Sequence, residues 1–172
     1  MTQRHQAVAY LSLGSNIEPE KNLCAAVVAL RAHFGAVLLS PVYRTPAVGF
    51  AGADFLNAAA RIHTKLDPTT LNDWLHALEA RHGRRRDGVR FSSRTLDIDI
   101  VLYDTLVLSD DGHLEVPRTE LATQAFVLKP MVDIAADVVH PVLGVSLHTL
   151  YERMDKTTVL SKVQLDCSTN SI

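Results

Sequence analysis

Two aspartates one residue apart, Asp97 and Asp99, open an apolar run that continues through Ile100, Val101 and Leu102. In an extended chain their carboxylates share a face, with Cα atoms about 6.5–7 Å apart. Ile98, Ile100 and Leu102 then point the other way, into a core. Neighbouring carboxylates at the start of a buried strand repel one another and are costly to desolvate. A hard divalent cation removes both penalties, and an all-oxygen donor set with phosphate partners favours Mg²⁺. Taken alone, such a pair is most often a solvated feature of an edge strand. The residues just upstream change that balance. Six of the 17 Lys and Arg residues fall between Arg81 and Arg94, a stretch with one acid, Asp87, and two glycines, Gly83 and Gly88. Guanidinium groups present planar pairs of donors that match phosphate oxygens. Carboxylates able to hold a cation beside Arg84, Arg85, Arg86, Arg90 and Arg94 have the composition of a phosphate-transfer site, with the basic segment as a loop that closes over a triphosphate.

Other readings of the same residues are weaker. A nucleic-acid patch would need interleaved aromatics, of which the segment has only Phe91, and the chain's net charge is −2. No P-loop signature is present, and Gly14-Ser15-Asn16 lacks the further glycines of a dinucleotide fingerprint, so alone it reads as a strand-to-helix turn with Ser or Asn as cap candidates. Phe55 and Phe126, alone, read as core rather than ligand-stacking residues. The eight histidines show no metal-ligand spacing. Cys24 and Cys167, the only cysteines, are far apart and outside any paired motif, which argues against a disulfide framework or structural zinc, and Cys24 reads as a small buried hydrophobe. The polar residues Met1 to His5 do not form a signal peptide, and no apolar run approaches the roughly 20 residues of a membrane helix. A soluble, cytoplasmic, monomeric protein without nucleic-acid or membrane partners is expected.

The elements that must position these residues follow from periodicity and punctuation. With 172 residues, 47% hydrophobic and 21% charged, the chain is expected to form one globular domain. Ala7 to Leu13 reads as a central strand, and Pro19 opens a helix with Leu23, Val27, Leu30 and Phe34 on one face, closed by Gly35. Val37 to Arg44 and Phe55 to Thr64 read as strands, the latter with Phe55, Asn57 and Ala59 opposite Leu56 and Ala58. Asp67 and Pro68 start a helix with a stripe of Leu71, Trp74, Leu75 and Leu78. Leu96 to Tyr103 is a strand, Leu106 to Val116 a hairpin, and Thr119 to Ala136 and Val145 to Met154 are helical. From Lys156 to the end the pattern fades into a loosely held tail. Strands separated by single helices, plus a hairpin, give an α+β class with helices on an antiparallel or mixed sheet.

The ordered blocks resemble the 6-hydroxymethyl-7,8-dihydropterin pyrophosphokinase family of folate biosynthesis. They are Tyr10-Leu11-Ser12-Leu13-Gly14-Ser15-Asn16, Tyr43-Arg44-Thr45-Pro46, Asp54-Phe55-Leu56-Asn57-Ala58-Ala59, Leu78-Glu79 ahead of Gly83-Arg84, and Arg94-Thr95-Leu96-Asp97-Ile98-Asp99. Val116-Pro117 and Ala125-Phe126-Val127-Leu128-Lys129-Pro130 complete them, and the resemblance runs from Ala9 to about Pro141. It implies a three-layer α/β/α sandwich with a ferredoxin-like core and a mostly antiparallel sheet. It implies ATP as co-substrate and two Mg²⁺ ions on Asp97 and Asp99. It places Thr45, Pro46, Val48 and Asn57 at pterin-recognition positions, with Phe55 and Phe126 sandwiching the ring. Glu79, Ile100, Arg118 and Thr119 fall at nucleotide positions, and Arg84, Arg86, Arg90 and Arg94 at positions that contact or close over the phosphates, Arg84 and Arg94 with a catalytic part.

The resemblance also implies the reaction. The pterin hydroxymethyl oxygen attacks the β-phosphorus of ATP and AMP leaves, with positioning and electrostatics supplying the rate enhancement. The chain departs from the family pattern at several of these positions. Ala47 stands for a second proline, Phe55 for tyrosine, Phe91 for tryptophan and Ser92-Ser93 for Gly-Pro. Arg118-Thr119 replaces a His-Tyr or His-Pro pair, and Gln124 an arginine whose charge Arg118 would partly restore. These departures leave open a paralogue that uses the same two-metal transfer on another pterin or small alcohol, and a binding module without catalysis.

Overall fold

The computed structural model describes residues 5–47, 49–83, 95–110 and 113–167. In chain order its elements are strand β1 (Ala7–Ser15), helix α1 (Pro19–Phe34), strands β2 (Leu38–Leu39), β3 (Val42–Thr45) and β4 (Phe55–Thr64), and helix α2 (Pro68–Arg81). Strands β5 (Asp97–Tyr103), β6 (Leu108–Asp110) and β7 (Leu114–Val116), helices α3 (Glu120–Thr123), α4 (Ala125–Ala135) and α5 (Leu147–Arg153), and strand β8 (Ser161–Val163) follow. The main sheet runs β5-β1-β4-β3-β8, with β2 also paired to β4, and β6 and β7 form a separate hairpin. Every pairing between these strands is antiparallel.

Strand alternation sends two apolar sets in opposite directions, which is why the sheet is covered on both sides. Leu11, Leu13, Leu56, Ala58, Ala60, Ile62, Ile98 and Ile100 meet Leu23, Ala26 and Leu30 of α1 and Leu71, Leu75 and Leu78 of α2. On the other face Ala59, Val101 and Leu102 pack with Leu128, Met131 and Ala135 of α4 and Leu147 of α5. The result is the expected three-layer α/β/α arrangement. Asp67 caps α2 as its sequence suggests, its side chain accepting from the Thr70 N–H at 2.8 Å. Trp74 joins the two helices of its layer, its ring 4.7 Å from that of His33 and 4.9 Å from that of Phe34.

Four expectations need correction. The strand over Val37 to Arg44 is broken into β2 and β3, because Pro41 has no N–H to give to a ladder. Ser40 bridges the gap, its backbone N–H donating to the Ala59 carbonyl and its hydroxyl accepting from the Ala59 N–H, each at 2.8 Å. Leu102 does not share the face of Ile98 and Ile100. The β1–β5 register shifts between Tyr10 and Leu11, and the bulge turns both Val101 and Leu102 towards α4. The single helix over Thr119 to Ala136 is two, since Gln124 is extended at φ −123, ψ 119.

The fourth correction concerns the tail. β8 pairs with β3, Val163 opposite Val42, and Val163 and Leu165 pack on the core. Cys24 and Cys167 are joined in a disulfide that spans 143 residues, with Cα atoms 5.3 Å apart. Closing so long a loop restricts the unfolded chain. Reduction, or Cys167→Ser, is therefore expected to lower stability by about 2–4 kcal/mol, seen as a lower urea midpoint; an unchanged midpoint contradicts it.

The turn between α4 and α5 holds a buried histidine. His140 Nδ1 accepts the backbone N–H groups of Val142 at 3.2 Å and Leu143 at 3.1 Å, so that nitrogen carries no proton. Burial also pushes its pKa below the ordinary 6.5. The unfolded chain then takes up a proton before the folded one does, so this contribution to stability is present above about pH 6.5 and declines as pH falls below it. His82, held low by burial and by Arg81, adds with the same sign. The urea midpoint is expected to drop between pH 7 and pH 5, and His140→Asn to reduce that drop; an identical pH slope in the variant contradicts the assignment.

Candidate active site

The face of the sheet towards α4 carries one row of residues across four strands. Asp97 on β5 lies opposite Gly14 on β1, Gly14 opposite Asn57 on β4, and Asn57 opposite Tyr43 on β3. The next rows pair Asp99 with Ser12, and Phe55 with Thr45. With neighbouring strands about 4.8 Å apart, the backbones of Asp97 and Asn57 stand about 10 Å from one another. Gly14 adds no side chain of its own to the gap between them. A Cβ there would come within 3.1 Å of Asn57 Oδ1 and 3.9 Å of Phe55 Cδ1. Gly14 is thus required for room.

Each end of this gap is held in place. Asn57 is buried, and its Nδ2 donates to the buried Thr45 Oγ1 at 2.8 Å, which orients the amide. Tyr43 is also buried, and its phenol donates to the Asp133 carboxylate of α4, itself 2.7 Å from Lys129 Nζ. Burial first, then Asp133, pushes the phenol well above its ordinary pKa, so it stays a donor. This bond ties β3 to the helix that carries Phe126 in its first turn.

Two residues expected at most to cap a helix do something else. Ser15 is fully buried, and its hydroxyl lies in hydrogen-bond reach of the carbonyl of Thr95, just before β5. The Asn16 Nδ2 donates to the Ala53 carbonyl at 3.1 Å. The end of β1 thereby anchors both chain segments that flank the gap. The cap residue of α1 is Glu18, with no side-chain capping bond. Phe50 escaped sequence reasoning. It packs edge-on to Phe55, ring centres 6.3 Å apart, over Gly52, where a Cβ would stand 2.4 Å from the Phe50 ring. An aromatic in a glycine-rich loop was its only signal.

Electrostatically the aspartates face a cation. Arg118 follows β7 and donates its backbone N–H to the Val101 carbonyl at 3.1 Å, which brings its side chain to the outer edge of β5. Its Nη1 lies 3.4 Å from Asp99 Oδ1, and its Nε 3.5 Å from Glu120 Oε2. Burial works against the guanidinium's charge, but Asp99, Glu120 and Asp97 outweigh it and raise its pKa, so it is always cationic. Thr119 Oγ1 turns away to Glu115 at 2.8 Å.

Asp97, Asp99, Asn57, Thr45, Phe55 and Arg118 are therefore brought to one region, with Phe126 on the covering helix. Glu79 and Ile100 are not on that face. Both are buried on the α2 side of the sheet, Ile100 with its side chain in the core. Pro46 follows β3 directly. Val48, Arg84, Arg86, Arg90 and Arg94 lie outside the described residues.

The donor set bears on a metal. Among the described residues no three His, Cys, Asp or Glu side chains group into a metal site. Two carboxylates on one face of β5 nevertheless fit magnesium, which is commonly held by one or two carboxylates with water and substrate phosphate oxygens. No helix among the described residues is long and apolar enough to cross a membrane.

Known proteins resemble the chain in sequence and in fold. Residues 10–136 match the family model of 7,8-dihydro-6-hydroxymethylpterin-pyrophosphokinase. A 2-amino-4-hydroxy-6-hydroxymethyldihydropteridine pyrophosphokinase of Methylorubrum extorquens is 42% identical over 135 residues, 76% of this chain and 84% of that one. The protein of the same name from Pseudomonas aeruginosa is 39% identical over 133 residues, 75% and 81% of the two chains. Among solved structures, the HPPK-DHPS of Plasmodium falciparum superposes with a TM-score of 0.71 at 12% identity, over 89% of this chain and 44% of that one, a likeness of fold. On the matched span and these identities, the chain belongs to the 7,8-dihydro-6-hydroxymethylpterin-pyrophosphokinase family.

Proposed function

We propose that the protein transfers the diphosphoryl group of ATP to the hydroxymethyl group of 6-hydroxymethyl-7,8-dihydropterin, giving AMP and the pterin diphosphate. The observation that carries this reading is the row Asp97–Gly14–Asn57, which sets a carboxylate pair and an oriented amide on either side of a residue without a side chain. Asn57 Oδ1 is available to accept the N–H groups of a pterin, and Thr45 and Pro46, with Val48, frame that end. Phe55 and Phe126 hold the ring by its faces. The hydroxymethyl group then projects over Gly14 towards Asp97 and Asp99.

Asp97 and Asp99 would hold magnesium, two ions with ATP present, and the metal would supply positive charge to the phosphate oxygens. The remaining work is done by the chain. A hydroxymethyl lone pair forms the new bond to the β-phosphorus as the bond to the α,β-bridging oxygen breaks. The electron pair leaves on AMP, and the hydroxyl proton passes to water. Arg84 and Arg94, with Arg86, Arg90 and Arg118, balance charge on the diphosphoryl group and on AMP. Thr119 serves the nucleoside end in this reading, whereas Glu79 and Ile100 are buried on the α2 side of the sheet, away from this row. The protein acts as one domain and as a monomer, in the cytoplasm.

The test is chromatography of nucleotides after incubation with ATP and Mg²⁺, with and without the dihydropterin. Pterin-dependent AMP without ADP is expected. Turnover of a different alcohol with none of the dihydropterin would replace the acceptor, and no AMP at all would remove the reading.

A further inference from the structure

Arg118 occupies a position that the metal reading of Asp99 must reckon with. Its guanidinium stands 3.4 Å from the carboxylate oxygen, with about a third of the arginine side chain and a quarter of the aspartate side chain exposed, 34% and 26%. The arginine's backbone is fixed on both sides, its N–H on Val101 and its carbonyl accepting from the Leu121 N–H at 3.1 Å. The side chain thus reaches Asp99 from a stationary base. A second acid, Glu120, lies on its other side. Because the guanidinium keeps its charge at any working pH, it can leave Asp99 only by moving.

We propose that Arg118 is a resident counter-cation of Asp99, which holds divalent-cation affinity low until a nucleotide's phosphates draw the guanidinium away. This rests on the assignment of Asp97 and Asp99 as metal ligands. Two cations on one carboxylate repel each other, so the protein without nucleotide takes up metal against the charge of Arg118. A triphosphate offers the guanidinium a bidentate partner of higher charge than Glu120. Arg118 then stabilises phosphate rather than opposing metal. Metal and nucleotide become mutually reinforcing ligands, and by linkage each raises the affinity for the other by the same factor. Arg118 is here a positioning residue for charge, and its effect is on the order and coupling of binding.

The experiment is titration of the intact protein with Mn²⁺, following free Mn²⁺ by its paramagnetic resonance signal, with and without the non-transferable analogue α,β-methylene-ATP. In the absence of nucleotide, Arg118→Gln is expected to bind Mn²⁺ roughly tenfold more tightly than wild type, in the range of ordinary coupling between sites. With the analogue present that advantage disappears or reverses. The gain is lost in Arg118→Gln/Asp99→Asn and suppressed in Arg118→Lys. Equal or weaker Mn²⁺ binding by Arg118→Gln without nucleotide, beside loss of binding in Asp99→Asn, overturns the proposal and leaves the metal assignment standing. Mn²⁺ binding unchanged in both Asp97→Asn and Asp99→Asn overturns the assignment and the proposal together. Circular dichroism of each variant reports whether the fold is kept.

Discussion

Asp97→Ala and Asp99→Ala are each expected to reduce turnover roughly 1,000-fold or more while leaving pterin binding measurable. The size follows from what the pair does in the proposed reaction. Charge builds on the diphosphoryl group and on departing AMP, and the cation that balances it is held by these carboxylates. The separation of the two effects follows from the sheet. Asn57 and Thr45 lie two and three strands from β5, bonded to each other and not to the aspartates. The fold itself should persist, since both side chains project from a half-buried face and the apolar anchors Ile98 and Ile100 are untouched. Turnover is read as AMP formation, and pterin binding by calorimetry with the dihydropterin. Near-normal turnover in both variants would remove the carboxylates from the mechanism; loss of pterin binding along with turnover would place the ring nearer β5 than proposed.

The second large effect is expected from a residue with no side chain. Gly14→Val is predicted to lower kcat/KM for the pterin by roughly 100-fold, the scale at which a displacement of about 1 Å costs an enzyme its alignment. Already a single Cβ stands 3.1 Å from Asn57 Oδ1, and the two methyls of valine extend further into the gap over which the hydroxymethyl group must pass. Asn57 cannot retreat without giving up its bond to Thr45. Gly14 does not have a positive φ, so backbone strain is not the cause and the protein should still fold. Gly14→Ala should show a smaller loss of the same kind. Equal kcat/KM in wild type and Gly14→Val would show that the acceptor does not cross this row.

Local period and punctuation made much of the fold legible. The alternation at Asp97, Ile98, Asp99 and Ile100 gave both the strand and the direction of its carboxylates, because a two-residue repeat survives whatever lies alongside. Asp67-Pro68 likewise announced α2 through an interaction that spans three residues. What escaped was non-local. The bulge that turns Leu102 over exists only in the register between β1 and β5. The disulfide joins residues whose spacing has no motif, and β8 is held by backbone bonds to β3 that are almost blind to its side chains. The same holds at the site. Asp97 could be singled out from its own spacing, and Asn57 and Phe55 were placed beside it by the resemblance alone, but the step at Gly14 appears only when three strands are set in register. Arg118 was assigned to the nucleotide by its place in a motif. That it rests on Asp99, 19 positions earlier in the chain, depends on how β7 returns to the edge of β5.

The central claim is that the diphosphoryl group moves as a unit by attack at the β-phosphorus. It is tested most directly by a single turnover with ATP labelled in its β-phosphate, in the presence of Mg²⁺ and the dihydropterin. The account predicts that all transferred label appears in the pterin diphosphate, with unlabelled AMP formed in equal amount. Label retained in ADP, or released as orthophosphate, would contradict it.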